Sequence, residues 1–537
     1  MSPECYPMSV LPHISKLYGD YLAMGGDADT PLRGWYGAEP LGAGWMGREV
    51  GVAHSSRLAD LLKDQVREFG GGAAALANVE RLRNGAHAVV TGQQVGLFGG
   101  PQLTLLKAAT AIARAKEAEK VTGKAHVPVF WLASEDHDLA EVDQVSLPGK
   151  KELETLRLGL RGHGGEVGKI LLGDGVENAL DQASELLGYA PVCDLLREFY
   201  RPDATLAGAF ARLMTRIFEE YGLVVMDAAG QGFHALGVSA LRAAIERADE
   251  LERALLARTE ELERLGYHAQ VLVKSGASLL FLVDERTGER LPLRRLADER
   301  WKSGARTYSV AELLEILETT PERFSPNALL RPVFQDTILP TAAYIGGPAE
   351  IAYFAQSAVL YERILGRLPA VLPRFSGTMI APAVETVMSQ HEVSLKDLFD
   401  AKTPEELTQR LGARAMPIEA KRKIAAAGNA LDEELGSLTG YLGSLDESLG
   451  RSAEVSANKM RYQMNRLRRM AARYEVQKEA SLAKHAGVMM LQLFPDGHPQ
   501  ERIIGGVWFL GQWGSGLVDR LVLEAAQMCL GHSVIRG

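Results

Sequence analysis

Residues 87–138 constrain the fold more than any other stretch. They open as His87-Ala-Val-Val-Thr91-Gly-Gln-Gln-Val-Gly-Leu-Phe-Gly-Gly-Pro101 and close as Val127-Pro-Val-Phe-Trp-Leu-Ala-Ser134-Glu-Asp-His-Asp138. An apolar run of strand length enters a Gly-rich turn, residues 104–120 have helical spacing, and a second apolar run ends in acids and a histidine. This is a β-α-β unit. Both polar clusters fall at the C-terminal ends of its strands, where open parallel sheets bind ligands. Gly92, Gly96, Gly99 and Gly100 remove side chains where a ligand or another backbone comes close. Pro101 suits the first turn of a helix whose free N–H groups favour an anion. The turn has neither GxxxxGK before Ser or Thr nor GxGxxG, which sets aside a Walker NTPase and the usual dinucleotide fingerprint. The plain alternative is a turn that serves only close strand–helix packing.

Residues 325–380 repeat this logic. The stretch Ser325-Pro-Asn-Ala-Leu-Leu-Arg331-Pro-Val-Phe-Gln335-Asp336 precedes an expected strand at residues 337–344. The turn Ile-Gly346-Gly347-Pro348-Ala-Glu350, a helix to about residue 365 and a strand at residues 369–374 follow. Two such halves predict an α/β fold with a doubly wound parallel sheet. A third buried strand is expected at residues 223–227, ending in Asp227. Gly162, Gly164 and Gly165 mark a loop before it. Short β runs at residues 267–295 predict a small antiparallel insertion.

From about residue 386 the pattern changes to long helices. Leu431, Leu435, Leu438, Leu442, Leu445 and Leu449 recur at steps of three or four, and Gly450-Arg-Ser allows a reversal. Met460, Met464, Leu467, Met470 and Tyr474 continue the stripe, which predicts an antiparallel coiled-coil hairpin used for oligomerisation. The basic run at 459–473 is expected on a solvated face. The expected organisation is 1–84, an N-terminal extension and helices packing on the core, its first 50 residues an extended surface lead-in. Then follow 85–265, the first half of the core with a helical insertion; 266–324, the antiparallel β insertion; and 325–385, the second half. The helical hairpin takes 386–490, and 491–537 packs back on the core, closing on a helix over 516–529.

At 537 residues the chain is too long for one compact core. A net charge of -9 and a pI near 5.8 argue against a general nucleic-acid binder. Cys5, Cys193 and Cys529 lie far apart without CxxC or Cys/His spacing, so neither a disulfide framework nor a cysteine-based zinc site is expected. The opening Met-Ser-Pro-Glu-Cys-Tyr lacks a signal-peptide pattern, and no apolar run reaches about 18 residues. The expectation is a cytoplasmic protein that engages neither membrane nor nucleic acid.

Five blocks in order carry a resemblance over nearly the whole length. They are 91–101, Ser134-Glu-Asp-His-Asp138, Arg331-Pro-Val-Phe-Gln-Asp336, Tyr344-Ile-Gly-Gly-Pro-Ala-Glu-Ile-Ala-Tyr-Phe-Ala-Gln356 and Gln500-Glu-Arg502. The chain resembles the BshC family, the cysteine ligases of bacillithiol biosynthesis. The resemblance implies a Rossmann-like core related to class I aminoacyl-tRNA synthetase nucleotidyltransferases, an inserted small β/α connecting domain and a coiled coil that makes a homodimer. It also implies addition of cysteine to glucosaminyl malate, with ATP or ADP as a bound ligand. In the family an Asn often follows Gln-Glu-Arg; here Gly505 and Gly506 occupy that stretch, which puts a polar contact from it in doubt.

Joining a cysteine carboxyl to a sugar amine requires activation, as an acyl-adenylate or acyl-phosphate, and positioning with charge stabilisation does most of the work. Under the resemblance, Thr91, Gly92, Gly99, Gly100, Gly346, Gly347 and Arg502 form the nucleotide-binding set. The first turn stands where the synthetases carry their HIGH signature, without its residues. Gln93, Gln94, Glu135, Arg331, Gln335, Asp336, Tyr344, Glu350 and Arg374 form the substrate set, its arginines suited to carboxylate or phosphate. Asp136 or Asp138 would hold an ammonium, with His137 as base for the attacking amine. The same acids suit Mg²⁺. No zinc is expected, because the Cys/His set that holds cysteine in related synthetases is absent. The plain alternatives are an exposed acidic loop with a capping Asp, an Arg331 salt bridge ordering the Pro332 turn, and a Glu350 that complements a helix dipole. A second functional reading is a non-ligase nucleotide-binding protein whose coiled coil is an interaction surface.

Overall fold

The computed structural model describes residues 4–26, 29–161, 164–296, 300–479 and 481–537. The expected loop glycine Gly162 lies outside them. The chain divides into two compact units, one of Met1–Gly149, Leu153–Thr378 and Glu501–Val534, the other of Lys150–Glu152, Met379–Gln500 and Ile535–Gly537.

The first unit is built on a five-stranded sheet of β1 (His87–Gln94), β2 (His126–Ala133), β3 (Val224–Asp227), β4 (Thr341–Gly346) and β5 (Val371–Pro373). The spatial order is β5-β4-β1-β2-β3 and every pairing is parallel. The order runs outward in both directions from the β1–β4 pair, so the switch point of a doubly wound sheet lies between those strands. Their apolar runs are buried on both faces, as a helix-covered parallel sheet requires.

Helix α1 (Leu103–Thr122) is alanine-rich, and Ala111, Ala115 and Ala118 pack with Val89, Ala343, Ile345 and Leu372 of the sheet. Small side chains let the helix lie close, and Gly123 ends it in the left-handed conformation at φ 69°. Helix α2 (Arg331–Ile338) and helix α3 (Pro348–Leu365) flank β4 in sequence.

Several expectations need correction. β1 continues to Gln94, paired residue by residue with β2, so Thr91 to Gln94 are strand and not turn. Residues 337–338 are the end of α2, and β4 starts only at Thr341. The Asn327 side chain accepts from the N–H groups of Leu329 and Leu330 and orders the turn that leads into α2, and Pro332 fills the first turn of the helix, where its missing N–H costs nothing. The described residues of 1–50 are no surface lead-in: they hold a helix, Lys16–Ala23, and bury Trp35, Tyr36 and Trp45 to 3% exposure or less. Trp45 belongs to the core cluster under the sheet.

The chain also closes on a strand, Gly531–Arg536, after a helix that stops at Ala526. This strand lies between Cys5–Pro7 and Gly377–Ile380 in a three-stranded sheet. Cys5 and Cys529 are joined by a disulfide across 524 residues, against the expectation of none. Fold pairing, invisible in spacing, brought them together. A separate antiparallel sheet runs through Ala277–Val283, Arg290–Arg295, Trp301–Ser303 and Arg306–Tyr308, with Phe324–Pro326 at its edge.

The second unit carries helices α4 (Ile418–Leu445) and α5 (Glu447–Lys478). The chain reverses at Asp446, whose carboxylate caps Leu449 N–H, and not at Gly450-Arg-Ser as expected. Asp432 pairs with Arg461, and Gly428 lies against Arg468, which sets the two helices antiparallel. Leu435 is buried, yet Leu438, Leu445, Leu449, Met460, Leu467 and Met470 are each at least 44% exposed.

Candidate active site

The last two residues of β1 organise the switch point. Strand alternation sends neighbouring side chains to opposite faces. Gln93 therefore reaches α1, where its Oε1 accepts from Lys107 Nζ at 2.9 Å. Gln94 donates from Nε2 to Asp136 Oδ2 at 2.8 Å and to Glu141 Oε2 at 2.9 Å.

On the Gln93 side lies a buried charge network. Lys107 donates to Gly92 O at 2.7 Å and pairs with Glu350 Oε2 at 2.5 Å. Glu350 also accepts from Tyr344 Oη at 2.6 Å and from Gly347 N at 2.8 Å. Arg331 donates to Tyr353 Oη at 2.9 Å and Tyr344 Oη at 3.4 Å, and its guanidinium stands 5.6 Å from the Tyr344 ring centre. Burial lowers the Lys107 ammonium, and Glu350 offsets only part of that. Burial alone would raise the Glu350 carboxyl, but Lys107, Tyr344 and the Gly347 N–H hold it below its ordinary value. With three donors converging on it, Glu350 is ionised. Glu350 is thus more than a helix-dipole partner.

Arg374 is fully enclosed next to Gly347 and pairs with Glu501 at 2.5 Å. Glu501 further accepts from Ser376 Oγ at 3.1 Å and Gly377 N at 3.0 Å. His532 completes this group, with Ser376 Oγ at 2.8 Å from Nδ1 and Thr378 Oγ1 at 2.7 Å from Nε2. Burial pulls the His532 imidazole down to about 4, so it is neutral at pH 7.

On the Gln94 side is the acidic strand end of β2. Asp136 accepts from His137 N at 2.7 Å. Burial pushes its carboxyl up, but Gln94, the His137 N–H and the Arg290 charge outweigh this and hold it low. Arg290, from the antiparallel sheet, lies 3.1 Å from His137 Nδ1 and 3.6 Å above the Phe281 ring. A guanidinium only donates, so toward Arg290 Nδ1 is the acceptor and the proton of the neutral ring lies on Nε2, while the same Nδ1 stands 3.3 Å from Asp136 Oδ1. In this arrangement His137 offers a donor, and a base role requires Arg290 to release it. Glu135 pairs at 2.8 Å with His234, which is 0% exposed; burial lowers that imidazole, but Glu135 outweighs it and raises it. Ser134 donates to Asp227 at 2.5 Å, tying β2 to β3.

Other expected residues are placed differently. Thr91 donates to Ile345 O at 3.0 Å inside the sheet. The Gly-rich turn is no open phosphate cradle. Phe98, Gly99 and Gly100 all have positive φ, 50°, 86° and 70°, and Gly99 N–H is bonded to Tyr200 Oη and Gly100 N–H to Leu97 O. The tail covers the turn: Gly506 N donates to Gly100 O, and Gln102 N to Ile504 O. A Cβ at Gly505 would lie 2.6 Å from Val145 Cγ2, so the glycine pair permits this close approach. Gly346 accepts from Arg374 N, and Gly92 from Lys107. Gln335 is 0% exposed, and Asp336 is buried against Arg367 at 3.1 Å, so both serve the interior. Asp138 is exposed at the start of the short helix Leu139–Val142 and makes no capping bond. Arg502 is exposed, while its neighbour Glu501 is the tail residue that reaches the network.

The sequence reading missed Lys107, Glu141, His234, Arg290, Tyr353 and Glu501. Three of them left a signal: Tyr353 and Glu501 lie within the blocks 344–356 and 500–502, and Lys107 is a lysine amid Leu103-Thr-Leu-Leu and Ala-Ala in the first turns after the Gly-Gly-Pro turn. Among the described residues, no cluster of three or more His, Cys, Asp or Glu is placed to hold a metal ion, and no helix is long and apolar enough to cross a membrane.

A parallel sheet with charged clusters at its switch point, in one chain with a long helical hairpin, defines a Rossmann-like protein with a coiled-coil unit. Residues 46–375 match the family model described as bacillithiol biosynthesis BshC, N-terminal Rossmann-like domain, and residues 377–536 match that of its C-terminal coiled-coil domain. The chain belongs to the BshC family. It is 41% identical to a relative from Koribacter versatilis over the full length of both chains. It is 37% identical to one from Solibacter usitatus over 84% of each chain, and 33% identical to one from Salinibacter ruber over 86% of this chain and 85% of that one. All three carry the name "Putative cysteine ligase BshC".

Proposed function

We propose that this protein joins the carboxyl of L-cysteine to the amine of glucosaminyl malate, forming bacillithiol, with nucleotide-dependent activation of the carboxyl. The observation that carries the reading is the pairing of Gln93 and Gln94, which ties an anionic cluster and a cation-bearing network to one strand end at the switch point. Family membership supports the ligase chemistry.

A nucleotide supplies the phosphate link that turns the carboxylate into an electrophile. Asp136 and Glu141, gathered on one amide, match the one or two carboxylates that Mg²⁺ takes beside nucleotide phosphates. Their charge equally suits the ammonium of cysteine. His137, with its proton on Nε2, and Arg290 stand at the same edge to stabilise developing negative charge. Arg331 is the cation for the malate carboxylates, oriented by Tyr344 and Tyr353. The attacking amine loses its proton to Asp136, or to His137 once Arg290 has moved. Gln102 and Thr104, fully buried at the start of α1 with side-chain atoms lacking partners, are the polar groups there that a phosphate group would satisfy if the tail lifts.

The exposed Leu438, Leu445, Met460, Leu467 and Met470 of the hairpin are the surface for a second copy of the chain, giving a homodimer. The test is incubation of purified protein with glucosaminyl malate, cysteine and ATP, with the product read by mass. Formation of bacillithiol only with all three components supports the reading; no product under any nucleotide supports the non-ligase alternative.

A further inference from the structure

The Cys5–Cys529 disulfide lies outside everything assigned so far. Cys5 is an exposed residue and Cys529 is half-buried, so the bond lies at the surface of the first unit, with the Cys5 sulfur beside Gly531. Cys193 is the one free cysteine; it is buried, and burial raises its thiol.

The bond sits on a structural lever. Cys5–Pro7 pairs antiparallel with the final strand, Cys5 opposite Ser533, Tyr6 opposite His532 and Pro7 opposite Gly531. On its other side that strand bonds Ser533 N to Ser376 O at 2.9 Å. His532 meets Ser376 and Thr378, Ser376 meets Glu501, and Glu501 holds Arg374 against the Gly347 turn. Every step of that chain lies in the first unit and is a direct contact.

We propose that Cys5–Cys529 is a thiol-exchange site for low-molecular-weight thiols, and that its reduction loosens the strand holding His532 and, through Glu501, Arg374. A thiolate attacks the sulfur of Cys5, the more exposed residue of the pair, forming a mixed disulfide there and releasing Cys529 as a thiolate that takes up a proton. A second thiolate attacks the small-molecule sulfur of the mixed disulfide, releasing Cys5 and one small-molecule disulfide. Two thiols are oxidised and one protein disulfide is reduced. The exchange is read on the cysteines themselves and does not depend on the proposed ligase reaction.

The test uses full-length protein purified without reductant, equilibrated with graded ratios of cysteine to cystine, quenched with acid and alkylated after denaturation. Intact mass is expected to show one label, on Cys193, in the oxidised form and three after exchange, with a cysteine adduct on Cys5 at intermediate ratios. Cys529→Ser is expected to carry a single adduct, on Cys5, when exposed to cystine. Hydrogen exchange is expected to quicken at residues 531–534 and 374–378 on reduction, and to be unaffected by thiol in Cys5→Ser. Three labels before any thiol is added, one label after millimolar cysteine, or unchanged exchange on reduction would each overturn the proposal.

Discussion

Lys107 and Glu350 meet as a buried ion pair, Nζ to Oε2 at 2.5 Å, across the point where the strand order reverses. Their side chains are 5% and 16% exposed, and each comes from the start of a helix that follows a Gly-Gly-Pro turn. The two halves of the sheet are therefore joined electrostatically where a ligand would sit.

Lys107→Met leaves the Glu350 carboxylate buried without its cation. Breaking one side of such a pair costs about 3–5 kcal/mol. The urea midpoint of Lys107→Met should fall accordingly, while Lys107→Met with Glu350→Gln should recover part of the loss. Equal loss in the single and double variants would mean that the pair is not coupled.

Asp136→Asn removes the charge held between Gln94 and the His137 N–H. Ligase kcat/KM should fall at least about 30-fold, the size of losing one charged partner of a substrate contact that becomes enclosed on binding, with an unchanged melting curve. Glu141→Gln, sharing the same Gln94 amide, should fall in the same direction by less. Full activity in Asp136→Asn would remove the acidic strand end from the site.

His532 gives a pH signature. The unfolded imidazole takes its proton near 6.5 and the folded one only near about 4. Between these values the unfolded chain binds more protons, so stability falls as pH drops through that window, and none of this change occurs above it. The whole step is roughly 3 kcal/mol. Stability of the wild type measured from pH 7 to 4 should lose this amount, and His532→Gln should show a shallower fall; identical slopes would contradict the assignment.

The sheet was legible because its strands are continuous apolar runs, and residues 87–138 and 325–380 repeat one pattern. What was not legible has physical reasons. Residues 331–338 end in Thr337-Ile338 before an apolar run, and helix and strand look alike over so short a segment. Lys107 stands among apolar neighbours in sequence, but only the fold shows that every face of α1 near it is covered. Cys5 and Cys529 are 524 residues apart, and only strand pairing brings them together. Among the site residues, the sequence placed Asp136, His137 and Glu350 at strand or helix ends. It could not see that Glu501, rather than Arg502, would face inward on a four-residue helix.

The hairpin should dimerise. Light scattering at micromolar concentration should give twice the mass of one chain, and replacing Leu438, Met460 and Leu467 with Glu should give one. A wild-type monomer would contradict the exposed stripe as a self-interface.

The most direct measurement follows the oxygen atoms of cysteine. With carboxyl-¹⁸O cysteine, glucosaminyl malate and ATP, nucleotide-dependent activation transfers one heavy oxygen per bacillithiol formed to the released AMP or phosphate. The proposed mechanism predicts that transfer in step with product, and its loss in Asp136→Asn. Bacillithiol formed with no heavy oxygen in any phosphate product, or formed without ATP, would contradict it.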